Sequence, residues 1–239
     1  DDKIRDDDDY DTKDKFDFYQ TKDFINFFNK FNEKLPDNFL KERKIGQNEN
    51  HICKLIREDL IDEFITYINQ HDYSLNSNIK RSIYDTNSLL LKNDPILIEY
   101  AAFFGSIQIF KYLYLNKAKT TELIWIYAMH SYNPELINFL EENHIQQRNE
   151  TYFKCFKEAI KCHHIDVSNY IQDNYLNEKI ELDNLKNNFE ENILSYSFHY
   201  YNYYYFPKEL NNCFILFYAC KYDHYSIVEN LLKTTSINL

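Results

Sequence analysis

The sequence predicts an all-α protein, a helical solenoid of stacked helix–turn–helix repeats with an N-terminal helical cap. Three observations predict it. The block from Tyr100 to Leu113 returns at 127–140, 27 residues later, with apolar character kept at Ala101/Ala128, Ala102/Met129, Ile109/Leu136, Phe110/Ile137, Tyr112/Phe139 and Leu113/Leu140. Each copy holds two apolar clusters with i, i+3, i+4 spacing, parted by a short polar break, which is the pattern of two short helices. The chain also carries only 2 Gly and 4 Pro in 239 residues, so few helix breakers. Two short helices cannot bury their apolar faces alone, whereas stacked copies bury them against one another.

The elements follow in order. Residues 1–15 form an acidic tail with too little apolar content to order itself. Residues 16–47 hold an amphipathic helix on Phe24, Phe27, Phe28, Phe31 and Leu35, with Thr21 as its cap and Pro36 past its end, and this region covers the edge of the first repeat. Residues 48–239 form the repeat array, of at least five copies. Its first copy opens on Leu55-Ile56, 45 residues before Ala101 counted from Ile56, and closes on Phe64, Ile65, Tyr67 and Ile68; an insertion at 74–93 accounts for the long step. Glu158-Ala159-Ile160 opens a copy that closes on Val167, Tyr170 and Ile171. Tyr218-Ala219-Cys220 opens another that closes on Ile227, Val228, Leu231 and Leu232. The 60-residue step between them leaves room for a degenerate copy near 182–206, with Ile193 and Leu194 as candidate core and its register open. With so little glycine, Asn, Asp and Ser are expected to make the turns.

Ala101-Ala102-Phe103-Phe104-Gly105-Ser106 resembles the end of the first helix and the turn of an ankyrin repeat, Ile109-Phe110 and Leu113 fall where that family has its second-helix core, and His164 and His224 fall in its histidine position after the turn. More narrowly, Glu99–Leu113, Leu140–His144 and Ile160–His164 look like a divergent ankyrin-like family of unknown function expanded in parasitic protists. The resemblance spans roughly residues 50–235, but the usual Thr-Pro-Leu-His start is missing and Asp94-Pro95 is expected to cap the helix in its place. The finger glycines are absent too. The resemblance implies a non-catalytic scaffold or adaptor that binds a protein partner through its concave groove. Carried over copy by copy, it implies that Phe103, Phe104, His130, Ser131, Lys161, Cys162, Lys221 and Tyr222 face that groove.

Charge narrows the partner. A net charge of −11 argues against nucleic acid and anionic membrane, both of which are bound through basic surface. No transmembrane run and no signal peptide is visible, and five cysteines fit reduced thiols in the cytoplasm. The only methionine is Met129, and the chain stops at Ile237-Asn238-Leu239 with no polar capping repeat, so a longer parent protein is expected.

Candidate chemistry is sparse. Cys155, Cys162, His163 and His164 are of zinc-ligand type, which supports an alternative reading as a helical domain with zinc or thiol chemistry. Their spacing matches no standard motif, and the repeat alignment places His163 and His164 at the turn positions of Gly105 and Ser106 and Cys155 in the core. The aromatic run Tyr196–Phe206 has the rings of a base-stacking platform but no basic residue. His130 with Cys155 lacks an orienting third group. Two glycines build no phosphate loop. No enzyme activity, cofactor, metal or small-molecule substrate is expected.

Overall fold

A computed structural model of the chain describes residues 35–145, 149–176, 186–206 and 212–234. The acidic tail, the helix expected around Phe24–Phe31 and the end at 237–239 lie outside the described residues. The described residues are all-helical, with no strand among them and one isolated antiparallel bridge, Asn78 to Ile96. They fall into two compact units, one reaching Thr120 and the other starting at Thr121.

The first unit holds α1 (Phe39–Ile45), α2 (His51–Arg57), α3 (Ile61–Gln70), α4 (Ser88–Asn93), α5 (Leu97–Phe104) and α6 (Ile107–Leu115). Helices α2/α3 and α5/α6 are the two pairs the sequence predicts, with α2 against α5 and α3 against α6. Leu55, Ile56, Phe64, Ala101, Ala102, Ile109, Phe110 and Leu113 are all buried, as the apolar spacing requires. The insertion at 74–93 is tied down at its middle. The Arg43 guanidinium donates to the carbonyls of Ile83 and Asp85, and the Asn48 amide donates to Lys80 O and to the Asp85 carboxylate. Gly46 makes the α1 turn at φ +70, and a Cβ there would run into the Thr86 hydroxyl of the insertion.

The cap of α5 differs from the sequence expectation. Asp94 is the left-handed end of α4 (φ 45), and its carboxylate pairs with Arg81. The backbone of Ile96 starts α5, and the Glu99 carboxylate accepts from the Ile96 N–H at 2.9 Å. Pro95 O is meanwhile committed to Ile79 N at 2.7 Å, because the insertion folds back on this strand-like segment.

The second unit holds α7 (Ile124–Ser131), α8 (Pro134–Glu142), α9 (Asn149–Lys161), α10 (Ile165–Ile171), α11 (Lys186–His199), α12 (Asn212–Lys221) and α13 (Tyr225–Thr234). A π-helical turn, Gln172–Leu176, extends α10, and a 3-10 turn, Tyr203–Tyr205, follows α11. The first helices α7, α9, α11 and α12 contact one another in that order. Asn133 caps α8 through its side-chain oxygen, with Pro134 at the first helical position, where proline's missing N–H is harmless.

One turn recurs in six pairs, α11 with the 3-10 turn Tyr203–Tyr205 standing as one of them. Four residues after Leu55, Ala101, Ala128, Ala159, Ser197 and Ala219 stand Asp59, Gly105, Tyr132, His163, Tyr201 and Asp223, each with φ between 50 and 69. In five pairs the N–H of the next residue reaches back to the carbonyl of that first residue: Leu60 to Leu55, Ser106 to Ala101, His164 to Ala159, Asn202 to Ser197 and His224 to Ala219, at 2.8–3.0 Å. This is the Schellman closure of a helix C-terminus. It sets the register of the degenerate copy, whose slot residue is Ser197. It also aligns the first helices of the first two copies at 101 − 55 = 46, one more than the expected step. The second helices keep 45, because Phe64 and Ile68 lie one residue further from the turn than Ile109 and Leu113 do.

Among the described residues the turn chemistry follows expectation for Asp and departs from it for Asn and Ser. Of the non-glycine residues with positive φ, four are Asp, two are His, two are Tyr and one is Lys; Asn and Ser are absent from that set. Asn instead caps helices, at Asn87, Asn133 and Asn202. The core also thins in the last pair: Cys220 and Leu232, expected as core, are exposed, as is Tyr170 of α10. The α7, α9 and α11 faces equivalent to that of Cys220 are covered by the next first helix.

Candidate functional site

The residue after four of the six turns ties its copy to the one before. Ser106 Oγ donates to Ile56 O, His164 Nδ1 to Met129 O at 3.0 Å, Asn202 Nδ2 to Ile160 O at 2.9 Å, and His224 Nε2 to Phe198 O at 2.7 Å. The acceptor is each time the residue following the slot residue of the preceding copy. A carbonyl only accepts, so the bonded nitrogen of each histidine carries the proton. His224 then accepts at Nδ1 from Tyr203 OH at 2.6 Å and is satisfied on both sides. The left-handed tyrosines join this seam: the Tyr132 ring lies 4.6 Å from His164, and the Tyr201 ring 4.5 Å from His224.

These ties carry the ends of the first helices into a row. The residue two past the slot in one copy meets the residue three past it in the next. His130 Nδ1 lies 3.1 Å from Cys162 Sγ, and the His199 ring stands edge-on to Tyr222 at 5.1 Å. Of the residues expected to face a groove, Phe104, His130, Ser131, Lys161, Cys162 and Tyr222 are half-buried and Lys221 is exposed. Phe103 is not available to a partner. Its ring is 6% exposed and sits edge-on to Phe104, because the α5 stripe turns it inward with Tyr100. Lys221 lies over the Tyr222 ring at 5.2 Å, and Tyr222 OH meets Ser195 Oγ at 3.0 Å. Lys161, His130 and Cys162 converge on Glu158.

Glu158 is buried and central to this group. Its Oε1 accepts from His130 Nδ1 at 3.0 Å, and Lys161 Nζ stands 3.2 Å from both carboxylate oxygens. Cys162 Sγ lies 3.7 Å from the same Oε1. Burial pushes the Glu158 carboxyl up, but the hydrogen bonds and charges of His130 and Lys161 outweigh it and hold the pKa below the ordinary value. Burial, then the Glu158 charge, pushes the Cys162 thiol to about 12. The same two causes, in that order, head those that push Tyr200 to about 12.

No family model, no curated protein and no solved structure matches this chain. The reading of the site therefore rests on its own geometry.

The ligand set expected for zinc does not converge. Cys155 is fully buried in the α9 core, where burial pushes its thiol pKa up. His163 is the exposed left-handed turn residue, and His164 is committed to Met129. Only Cys162 joins a cluster, with His130 and Glu158. Nor is this cluster a relay for a nucleophile. In a thiol–imidazole pair the orienting carboxylate and the thiol use opposite ring nitrogens, whereas here both approach Nδ1. Glu158 was invisible in sequence, since it lies 28 residues from His130 on another helix. The repeat alignment was the signal: His130 and Cys162 hold the two adjoining row positions of neighbouring copies.

Proposed function

We propose that this chain is a non-catalytic protein–protein interaction module of ankyrin-like design, working as a scaffold or adaptor in the cytoplasm. The supporting observation is the tie that four post-turn residues, Ser106, His164, Asn202 and His224, make to the preceding copy. Side chains spent on setting the register of neighbouring copies hold the helix ends of a unit at fixed spacing, which is what recognition of an extended protein surface needs. Phe104, His130, Ser131, Lys161, Cys162, Lys221 and Tyr222 make up the candidate contact residues in this reading, with rings and cations of the kind enriched at binding hot spots. The partner is a protein; nucleic acid and anionic membrane are disfavoured by a charge of −11. Among the described residues no helix is long and apolar enough to cross a membrane.

The test is affinity capture from source-cell lysate with mass spectrometry, run in parallel on the wild type and on a Lys221→Glu/Tyr222→Ala variant. The reading expects a protein captured by the first and lost from the second at unchanged melting temperature. Equal capture by both removes this face from the site.

A further inference from the structure

We propose that His130, Glu158 and Cys162 bind one borderline divalent transition-metal cation, zinc above all. Their ligand atoms all lie within 4.8 Å of one another. Nδ1–Oε1 is 3.0 Å, Nδ1–Sγ 3.1 Å and Sγ–Oε1 3.7 Å. Zinc bonds of about 2.0–2.3 Å imply tetrahedral edges of roughly 3.3–3.7 Å, so the triangle needs shifts of only a few tenths of an ångström.

The contact pattern is one that a single cation can bridge. An imidazole Nδ1 has one in-plane valence, either a proton to donate or a lone pair to offer. Here two partners, a carboxylate oxygen and a sulfur, approach that one nitrogen at hydrogen-bond range. Two protons hold this triangle in the metal-free protein, one on Nδ1 and the Cys162 thiol proton turned to Oε1; a metal at its centre replaces both and bonds all three atoms. The donor types select the cation: thiolate, imidazole and carboxylate suit zinc, whereas magnesium and calcium take oxygen ligands. Glu158 is 8% exposed and Lys161 stands 3.2 Å from both its oxygens, which fixes the carboxylate beside the other two ligands. Three protein ligands leave the fourth position to water.

The binding step balances simply. Cys162 releases its thiol proton to solvent as the sulfur–metal bond forms. His130 keeps one proton, moved from Nδ1 to Nε2, so that Nδ1 offers its lone pair. Nothing is oxidised or reduced. This site shares His130 and Cys162 with the proposed contact row, but its test needs no partner, so it survives the failure of that reading.

Cobalt(II) is the probe, because a cobalt–thiolate bond absorbs in the near ultraviolet. The wild type is expected to take up one equivalent with that band, and zinc to displace it. Cys162→Ser and His130→Gln should each abolish the band at unchanged helicity, and a Cys213→Ser/Cys220→Ser variant, which removes the two exposed thiols, should keep it. Lys161→Gln should tighten cobalt binding roughly tenfold, since a neighbouring cation no longer competes for Glu158. A wild type without the band overturns the proposal. So does a band that survives in Cys162→Ser or vanishes with Cys213 and Cys220.

Discussion

His164 Nδ1 donates to the carbonyl of Met129 across 3.0 Å, and the same bond, with other donors, is made by Asn202 to Ile160 and His224 to Phe198. Each of these carbonyls belongs to the last turn of a first helix, where intrahelical donors run out. A histidine or asparagine from the next copy supplies one. Local helix termination and the joining of copies are thus one device.

Removing that donor should weaken the second unit. His164→Ala is expected to cost about 1 kcal/mol, the net worth of one intramolecular hydrogen bond, plus a smaller loss of contact with the Tyr132 ring. Chemical denaturation measures it. Asn202→His should cost less than Asn202→Ala, because a histidine makes the same bond in the neighbouring copies. If the two variants denature alike, the side chain of residue 202 sets no register.

Ser197 fills the slot that is alanine in four other copies, fully buried and with no hydrogen-bond partner for its hydroxyl. Ser197→Ala should stabilise the protein by about 1 kcal/mol, since burying an unpaired hydroxyl is unfavourable by that order. Ala159→Leu in the same slot, between α7 and α11, should destabilise by roughly 1–3 kcal/mol through overpacking. Denaturation midpoints that move the opposite way would contradict the slot assignment.

Lys117 ends α6 at φ 61 with its side chain exposed. Lys117→Gly should raise stability by roughly 0.5–1 kcal/mol, because the left-handed region is strained for any residue with a Cβ. Gly46→Ala should do the reverse and more strongly, because φ +70 and the Thr86 hydroxyl both oppose the new methyl. Thermal melts of the two variants should shift in opposite directions.

Glu158 links stability to acid. Its folded pKa is depressed below the ordinary 4.5, so the carboxylate stabilises the fold fully above that value and progressively loses the effect as pH falls through the folded pKa. Melting temperature followed downward from pH 6 should therefore drop less steeply in Glu158→Gln than in the wild type. Parallel curves would show that the His130 and Lys161 bonds do not act on this group.

What the sequence disclosed, and what it hid, has physical reasons. Alanine at the slot and the Ile109-Phe110 type of core were legible because burial demands the same residues in each copy. The copy around Ser197 was not, because a serine and a tyrosine turn erase both the small apolar slot and the turn signal. Tyr132 and Tyr201 are poor left-handed residues on propensity, and contacts with the next copy account for them: each ring lies tilted against a histidine, and Tyr132 OH also donates to the Asp166 carboxylate. The step of 45 against 46 was ambiguous because Leu55 and Ile56 are equally apolar. Phe103 was hidden for the converse reason, since nothing in an Ala-Ala-Phe-Phe run says which ring the helix turns inward. The contact of His130 with Glu158 and Cys162 needs two helices brought together, which no local pattern encodes.

The central claim is that one hydrogen-bonded turn closes the first helix in five of the six pairs. Amide hydrogen exchange tests it most directly at Leu60, Ser106, His164, Asn202 and His224, whose N–H groups close the turns at 2.8–3.0 Å. All five should be protected, Asn202 of the degenerate copy as well as Ser106 of the most regular one. Rapid exchange at Asn202 and His164, at the rate of an open loop, would contradict the shared turn and the row of side chains built on it.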